Sequence, residues 1–477
     1  MKHFLAFDLG AESGRAMLGA LANGKLHLEE VHRFPNQPVR LPTGLYWDTL
    51  RLFHEMQQGL GAAAKGRQLS GIGVDTWGVD FGILGSDGAL VDNPRHYRDS
   101  RNKGQMERTF AVVPREQIFA ETGLQFMQIN SLFQWHAMKL QDSPALKVAD
   151  TLLFIPDLLN YYLTGVRRAE LTIVSTSQFY NPTQKCFASG LLNRLGLEPG
   201  ILPPIVNPGT LLGPLRESDI PVFAVAGHDT ASAVAAIPAK GDGNWCYISS
   251  GTWSLMGVEV PQPVINDPCL ALNFTNEMGV EGRVRLLKNI AGLWLWQEVR
   301  RTWQIEGTNY SYDDMSQLAA VARPFVAILQ PDAFSEPGNM PAKIAHYCRQ
   351  TGQKPPETHA EICRVILEGL ALRYRQVLES LEALLGRKLT RIHIVGGGSL
   401  NVVLNQFVAD ATQRLVIAGP SEATAAGNIL VQALGAGLLS DLREIRETVR
   451  LSFPVTTFEP RKPGPWDDAY ARFRSAG

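Results

Sequence analysis

Cysteine is scarce and scattered. The five cysteines, Cys186, Cys246, Cys269, Cys348 and Cys363, form no CxxC pair and no cluster with histidine. That pattern argues against a zinc module or a disulfide scaffold and favours a reducing compartment. An excess of either charge is missing too. With 45 Lys and Arg against 46 Asp and Glu, the formal net charge is −1, so neither a basic nucleic-acid footprint nor an acidic tail is present. No apolar run approaches the length of a membrane span. The opening Met1-Lys-His-Phe-Leu-Ala-Phe-Asp8 is apolar only briefly; it reads as no signal peptide and predicts a cytoplasmic, soluble protein. Also absent is GxxxxGK[ST], which disfavours a P-loop kinase. Oligomeric state is not legible in these features.

What is present is an ordinary globular composition, 45% apolar and 19% charged, in a chain of 477 residues. That length exceeds what one core normally serves, so two domains are expected. The glycine-rich Pro238-Ala-Lys-Gly-Asp-Gly243 is the candidate hinge, giving domains at 1–238 and 239–477.

The organising stretch is Ala226-Gly-His-Asp-Thr-Ala-Ser-Ala233, after the apolar run Pro221–Ala226. A short buried strand delivers its C-terminal end into a small-residue segment, where open α/β sheets place ligands. Asp229 there has two readings: a cap for the following helix, or a general base acting on a substrate hydroxyl.

Similar corners recur. Phe4–Gly10 reads as a strand and Ala16–Leu21 as its return, joined by Ala11-Glu12-Ser13-Gly14-Arg15. The turn is either a plain hairpin with a surface arginine or a phosphate-sized anion site. Gly10 and Gly14 would admit close backbone approach, and Asp8 could hold Mg²⁺ through water. Gly71–Asp75 leads into Thr76-Trp77-Gly78-Val79-Asp80-Phe81, a buried tryptophan in a meander or a wall for a polyhydroxylated ligand. Tyr97-Arg-Asp-Ser-Arg101 is a charged turn, open to an ion-pair reading or to substrate contact. Residues 190–213 read as connecting chain.

In the second half, Trp245–Gly257 repeats the form of the first hairpin, with Gly251-Thr252 at its corner. Such an echo suggests two domains on one plan. Thr252 there meets a phosphate or bonds its own backbone. A strand then feeds a helix whose start holds Asn289. The long helix 361–385 has apolar residues close to period 3.6. It precedes a strand at 391–395 and Gly396-Gly-Gly398, which is a flexible turn or a place where a nucleotide lies against bare backbone.

Taken together, Asp8-Leu-Gly-Ala-Glu-Ser-Gly-Arg15, Asp75-Thr-Trp-Gly-Val-Asp-Phe81, His228-Asp-Thr-Ala-Ser-Ala233, Ser250-Gly-Thr-Trp-Ser254 and Gly396–Gly398 resemble the FGGY carbohydrate kinases. Leu287-Lys-Asn-Ile-Ala-Gly-Leu-Trp-Leu295 and Ala418-Gly-Pro-Ser-Glu-Ala-Thr424 extend the likeness nearly end to end. The resemblance implies an α/β fold of two ribonuclease-H-like domains of the actin and sugar-kinase type, with an interdomain cleft. The N-terminal domain would bind sugar and the C-terminal one nucleotide. The activity implied is transfer of the ATP γ-phosphate to the 1-hydroxyl of a ketose, L-rhamnulose. Asp229 would be the base, and Trp77, Gly78, His228, Asp229, Thr230 and Asn289 would line the ketose. Ala11, Glu12, Ser13, Gly14, Arg15, Thr252, Gln297, Gly397 and Gly398 would meet ATP, with Asp8 and Asp229 on Mg²⁺. Glu12 departs from the small hydroxyl residue of many members, and 300–360 matches least. Other acceptors (L-fuculose, L-ribulose, xylulose, glycerol) stay open, as does an actin-like ATPase switch, which would have no need of Thr76-Trp77-Gly78 or His228-Asp229-Thr230.

Overall fold

The computed structural model describes residues 1–241, 243–334, 336–461 and 463–475. The apolar opening makes β1 (Lys2–Leu9), which pairs antiparallel with β2 (Ser13–Ala22). After the turn at Asn23-Gly24, where both residues have positive φ, β2 pairs antiparallel with β3 (Lys25–Pro35). Helix α1 (Thr49–Ala64) starts at Asp48, whose carboxylate caps Arg51 N. Then come β4 (Leu69–Thr76), β5 (Thr210–Pro214) and β6 (Pro221–Ala224). The sheet order is β5-β6-β4-β1-β2-β3. Strand β4 runs parallel to β1 and to β6, and β5 is an antiparallel edge. Phe4, Leu5, Ala6 and Phe7 have no exposed surface, as a strand covered on both faces requires. The edge strand, together with the helix Ser189–Arg194, lies where the sequence suggested only connecting chain. Sparse apolar residues and several prolines hide its short pairing.

Helix α2 (Asp229–Ala235) follows β6, and then β7 (Trp245–Ser250), β8 (Trp253–Val260) and β9 (Val284–Ala291). Beyond α3 (Trp294–Ile305) runs α4 (His359–Leu385), capped by Thr358 and ended by Gly386 in the left-handed region. Strands β10 (Arg391–Val395) and β11 (Leu415–Ala418) are separated by α5 (Val402–Thr412). The chain closes through α6 (Ala423–Gly435), α7 (Leu442–Ser452) and β12 (Thr456–Phe458). The strands run in the order β9-β8-β7-β10-β11-β12, with the short strand Thr275–Met278 at the edge beside β9. Strand β7 is antiparallel to β8 and parallel to β10; β11 is parallel to β10 and antiparallel to β12. The plan of the first sheet is made a second time.

Two compact units result. The first comprises 1–238, 259–286 and 423–452; the second comprises 239–258, 287–422 and 453–477. The first stretch of the first unit ends at Pro238, and 259–286 and 423–452 group with it. Helix α6 belongs there because it packs on α2: a Cβ on Gly427 would fall 1.8 Å from Ser232 O. Its polar face reaches the first sheet, where Asn428 Nδ2 donates to Asp75 (2.6 Å) and Gln432 Nε2 to Leu5 O (3.0 Å).

Candidate active site

The first unit gathers its acids at strand ends. Asp8 sits opposite Arg15 on β2 and opposite Asp75 on β4. Arg15 Nη2 donates to Asp8 Oδ2 at 2.5 Å. Asp75 is fully buried, takes one hydrogen bond from Asn428, and leaves Oδ1 without a partner. Burial pushes its carboxyl well above the ordinary range, with the neighbouring Asp8 charge adding to the effect.

Strand β6 ends beside β4, where Thr76 N donates to Gly227 O (2.9 Å). His228 then caps α2 and Asp229 is its first residue. Both amide and hydroxyl of Thr230 donate to Asp229 Oδ1, at 2.5 and 3.1 Å. Oδ2 has no hydrogen bond among the described residues. The side chain keeps 32% of its surface accessible. Burial raises the carboxyl above its ordinary value, opposed by His228 and reinforced by Asp8. Such a group is more basic than a free carboxylate. Below it, Glu170 accepts from Gly227 N (2.9 Å) and Thr172 N (2.8 Å), and His228 N donates to the Thr172 hydroxyl (3.2 Å). The loop carrying the acid is thereby fixed from beneath. Burial lifts Glu170 to about 7.

The histidine side chain is 8% accessible. Its Nε2 lies 3.5 Å from Asp229 Oδ1, and its Nδ1 lies 3.2 Å from both Glu277 Oε2 and Arg285 Nη2. Neither Glu277, on the strand Thr275–Met278, nor Arg285, on β9, stood out in sequence. An ion pair between strands six to ten residues apart carries no periodic signal.

Trp77 is buried, with its ring centroid 4.0 Å from that of Trp47. Asp80 holds both indoles, accepting Trp47 Nε1 at 2.6 Å and Trp77 Nε1 at 3.0 Å, together with Tyr97 N and Gln134 Nε2. Four protein donors occupy this carboxylate, so it orders the aromatic wall and is not left open for a sugar hydroxyl. Burial raises it to about 6 despite them. A Cβ on Gly78 would make only ordinary contact with Thr176, so protein packing does not demand glycine there.

In the corner 11–15, Gly10 N closes the turn on Ser13 O (2.9 Å) and Glu12 is exposed. Ala11, Ser13 and Arg15 are half-buried. Gly14 is different from the sequence expectation: its φ is not positive, and a Cβ would lie 2.3 Å from the Phe34 ring. Its missing side chain serves core packing.

The second unit carries the remaining candidates. Gly251 O and Thr252 O accept Leu293 N (3.0 Å) and Trp294 N (3.1 Å), joining the β7–β8 corner to the start of α3. Gln297, one turn into α3, leaves a buried Oε1 without a partner. Asn289 is half-buried within β9 rather than at a helix start, because the strand continues to Ala291 and α3 begins at Trp294. Gly396 has φ 80°, a Cβ on Gly398 would strike Ser250 Oγ at 2.0 Å, and one on Gly397 would meet nothing within 4 Å. Fold geometry thus accounts for the outer two glycines and leaves Gly397 open.

Among the described residues no three His, Cys, Asp or Glu converge to hold a metal unaided. The pair Asp8 and Asp229, each in the other's field, suits Mg²⁺ better. That ion asks for one or two carboxylates and takes its other ligands from phosphates and water.

The structure thus holds two α/β sheets, the first with acids at its strand ends. The chain belongs to the FGGY family of carbohydrate kinases: the family's N-terminal domain model matches residues 3–235 and its C-terminal domain model matches 246–436. A rhamnulokinase from Bacteroides thetaiotaomicron is 45% identical over 485 residues, 99% of each chain. One from Bacillus subtilis is 39% identical over 469 residues, covering 96% of this chain and 95% of that one. Among solved structures, a ligand-bound xylulose kinase from Lactobacillus acidophilus superposes with TM-score 0.80 at 17% identity, covering 100% of this chain and 96% of that one. A glycerol kinase from Plasmodium falciparum with ADP gives 0.77 at 17%, covering 100% and 97%. The sugar-kinase fold implied by the sequence is therefore the fold observed.

Proposed function

We propose that this chain transfers the γ-phosphate of ATP to the 1-hydroxyl of L-rhamnulose, giving L-rhamnulose 1-phosphate and ADP. The observation that carries the chemistry is Asp229, with Oδ1 tied down by Thr230 and Oδ2 open. The choice of sugar rests on the rhamnulokinases this chain is similar to. The ketose hydroxyl gives its proton to Asp229 Oδ2 as its oxygen bonds to the γ-phosphorus. The bond to the bridging oxygen breaks and ADP leaves. Trp77, Gly78, His228, Thr230 and Asn289 line the ketose. The turn from Ala11 to Arg15, with Thr252, Gln297, Gly397 and Gly398, receives the nucleotide. Asp8 and Asp229 would hold Mg²⁺, which would supply neutralisation of the phosphate charge. The sugar side belongs to the first domain and most of the nucleotide side to the second. Five unpaired cysteines, four of them buried, suit a cytoplasmic setting.

The test is ADP release with Mg²⁺-ATP across L-rhamnulose, L-fuculose, L-ribulose, D-xylulose and glycerol, with a sugar-free control. A clear preference for L-rhamnulose is expected. Preference for another acceptor would keep the kinase and replace its substrate. Turnover indifferent to every sugar would point to an ATPase switch.

A further inference from the structure

His228 stands between the reacting acid and a buried ion pair. Nη2 of Arg285 lies 3.1 Å from Glu277 Oε2 and 3.2 Å from His228 Nδ1. Arg285 is fully buried and its Nε is spent on Met278 O (3.0 Å), so the guanidinium cannot swing away. A guanidinium only donates. Nδ1 can accept from it only as the bare nitrogen of the ring. Glu277 Oε2 is as near to Nδ1, at 3.2 Å, but has no aligned hydrogen bond; it acts as the counter-charge that keeps Arg285 in place.

We infer that Arg285 is a positioning residue for phosphoryl transfer: by donating to Nδ1 it fixes His228 as the Nε2–H tautomer, directing that proton toward Asp229 Oδ1 and leaving Oδ2 as the basic oxygen. Three donors then face Oδ1, from Thr230 N, Thr230 Oγ1 and His228 Nε2. The inference deepens the reading of Asp229 as base and rests on it. No proton is gained or lost by His228 in this role; only its place on the ring is set.

The tautomer is read directly from ring ¹⁵N shifts of the full-length protein labelled at histidine, without sugar or nucleotide. The His228 signals are identified by their loss in His228→Gln. A protonated Nε2 and a bare Nδ1 are expected, and a proton on Nδ1 overturns the inference. This readout needs no turnover, so it is independent of whether L-rhamnulose is the acceptor. Because removing one buried charge strands the other, the kinetic variant is the double Arg285→Met/Glu277→Met, an exchange buried pairs often tolerate. It is expected to mix the two tautomers and to lower kcat on the order of 100-fold, the scale of a correctly presented base, with KM for ATP unchanged. Full kcat in the double variant overturns the inference. Arg285→Lys, still a donor only, is expected to keep the Nε2–H tautomer and most of kcat. A loss as large as that of the double variant with the tautomer intact overturns it too.

Discussion

Asp8 and Asp75 stand opposite one another on neighbouring parallel strands, and Arg15 faces Asp8 from the other side. Of the two acids, Asp8 is paired with a cation while Asp75 is sealed off with one oxygen unbonded. Asp8, which keeps a little accessible surface where Asp75 keeps none, is therefore the one suited to a metal. Asp8→Asn is expected to raise the Mg²⁺ concentration for half-maximal turnover about 10- to 100-fold, the usual range for disturbing a metal's protein surroundings. Turnover measured against Mg²⁺ at fixed ATP checks this; an unchanged curve would remove Asp8 from the metal set.

Asp229→Asn keeps the shape of the acid and its link to Thr230 but cannot take a proton. Turnover should fall by about 10²- to 10⁴-fold, while sugar binding, followed by calorimetry, changes little. Near-normal kcat would refute the assignment of the base.

The glycines after β10 separate fold from function. Gly398→Ala should destabilise the protein by roughly 1–3 kcal/mol, the cost of forcing a methyl into a filled site, since Ser250 stands 2.0 Å from the new atom. Gly397→Ala meets open space, so its melting temperature should match the parent and only the KM for ATP should rise. An unchanged KM would mean that nucleotide does not pass over Gly397.

Glu170 gives a pH signature. Its folded value of about 7 lies above the ordinary 4.5, so between those values the native state holds a proton that the unfolded chain has released. The associated stability is complete below about pH 4.5 and is lost as pH rises through about 7. Denaturant unfolding should show Glu170→Gln lacking this decline. A variant with the parent's slope would exclude Glu170 as its source.

Some of this was readable from sequence because a polar residue ending an apolar run is conspicuous. Asp8 and His228-Asp229 both close such runs, and both lie at strand ends. The clean 3.6-residue spacing of α4 and the strand Arg391–Val395 were equally plain. Gly14 was legible as a special position but not for its reason, which is a phenyl ring from β3. Asn289 was expected at a helix start, whereas the strand simply continues to Ala291. Arg285 and Glu277 left no trace: only folding brings two charges from adjacent strands against a histidine about fifty residues earlier. The role of Asp80 was hidden, since its four donors come from scattered parts of the chain.

The first unit is assembled from three separate stretches, the last ending at Ser452. During synthesis, its sheet is complete once Pro238 has emerged, yet Asn428 and Gln432, which cover Asp75 and β1, are still unmade. At about 5–20 residues per second, that interval lasts roughly 10 to 40 seconds. Until then the nascent N-terminal sheet holds Asp75 and part of its apolar face without the cover that Asn428 and Gln432 supply.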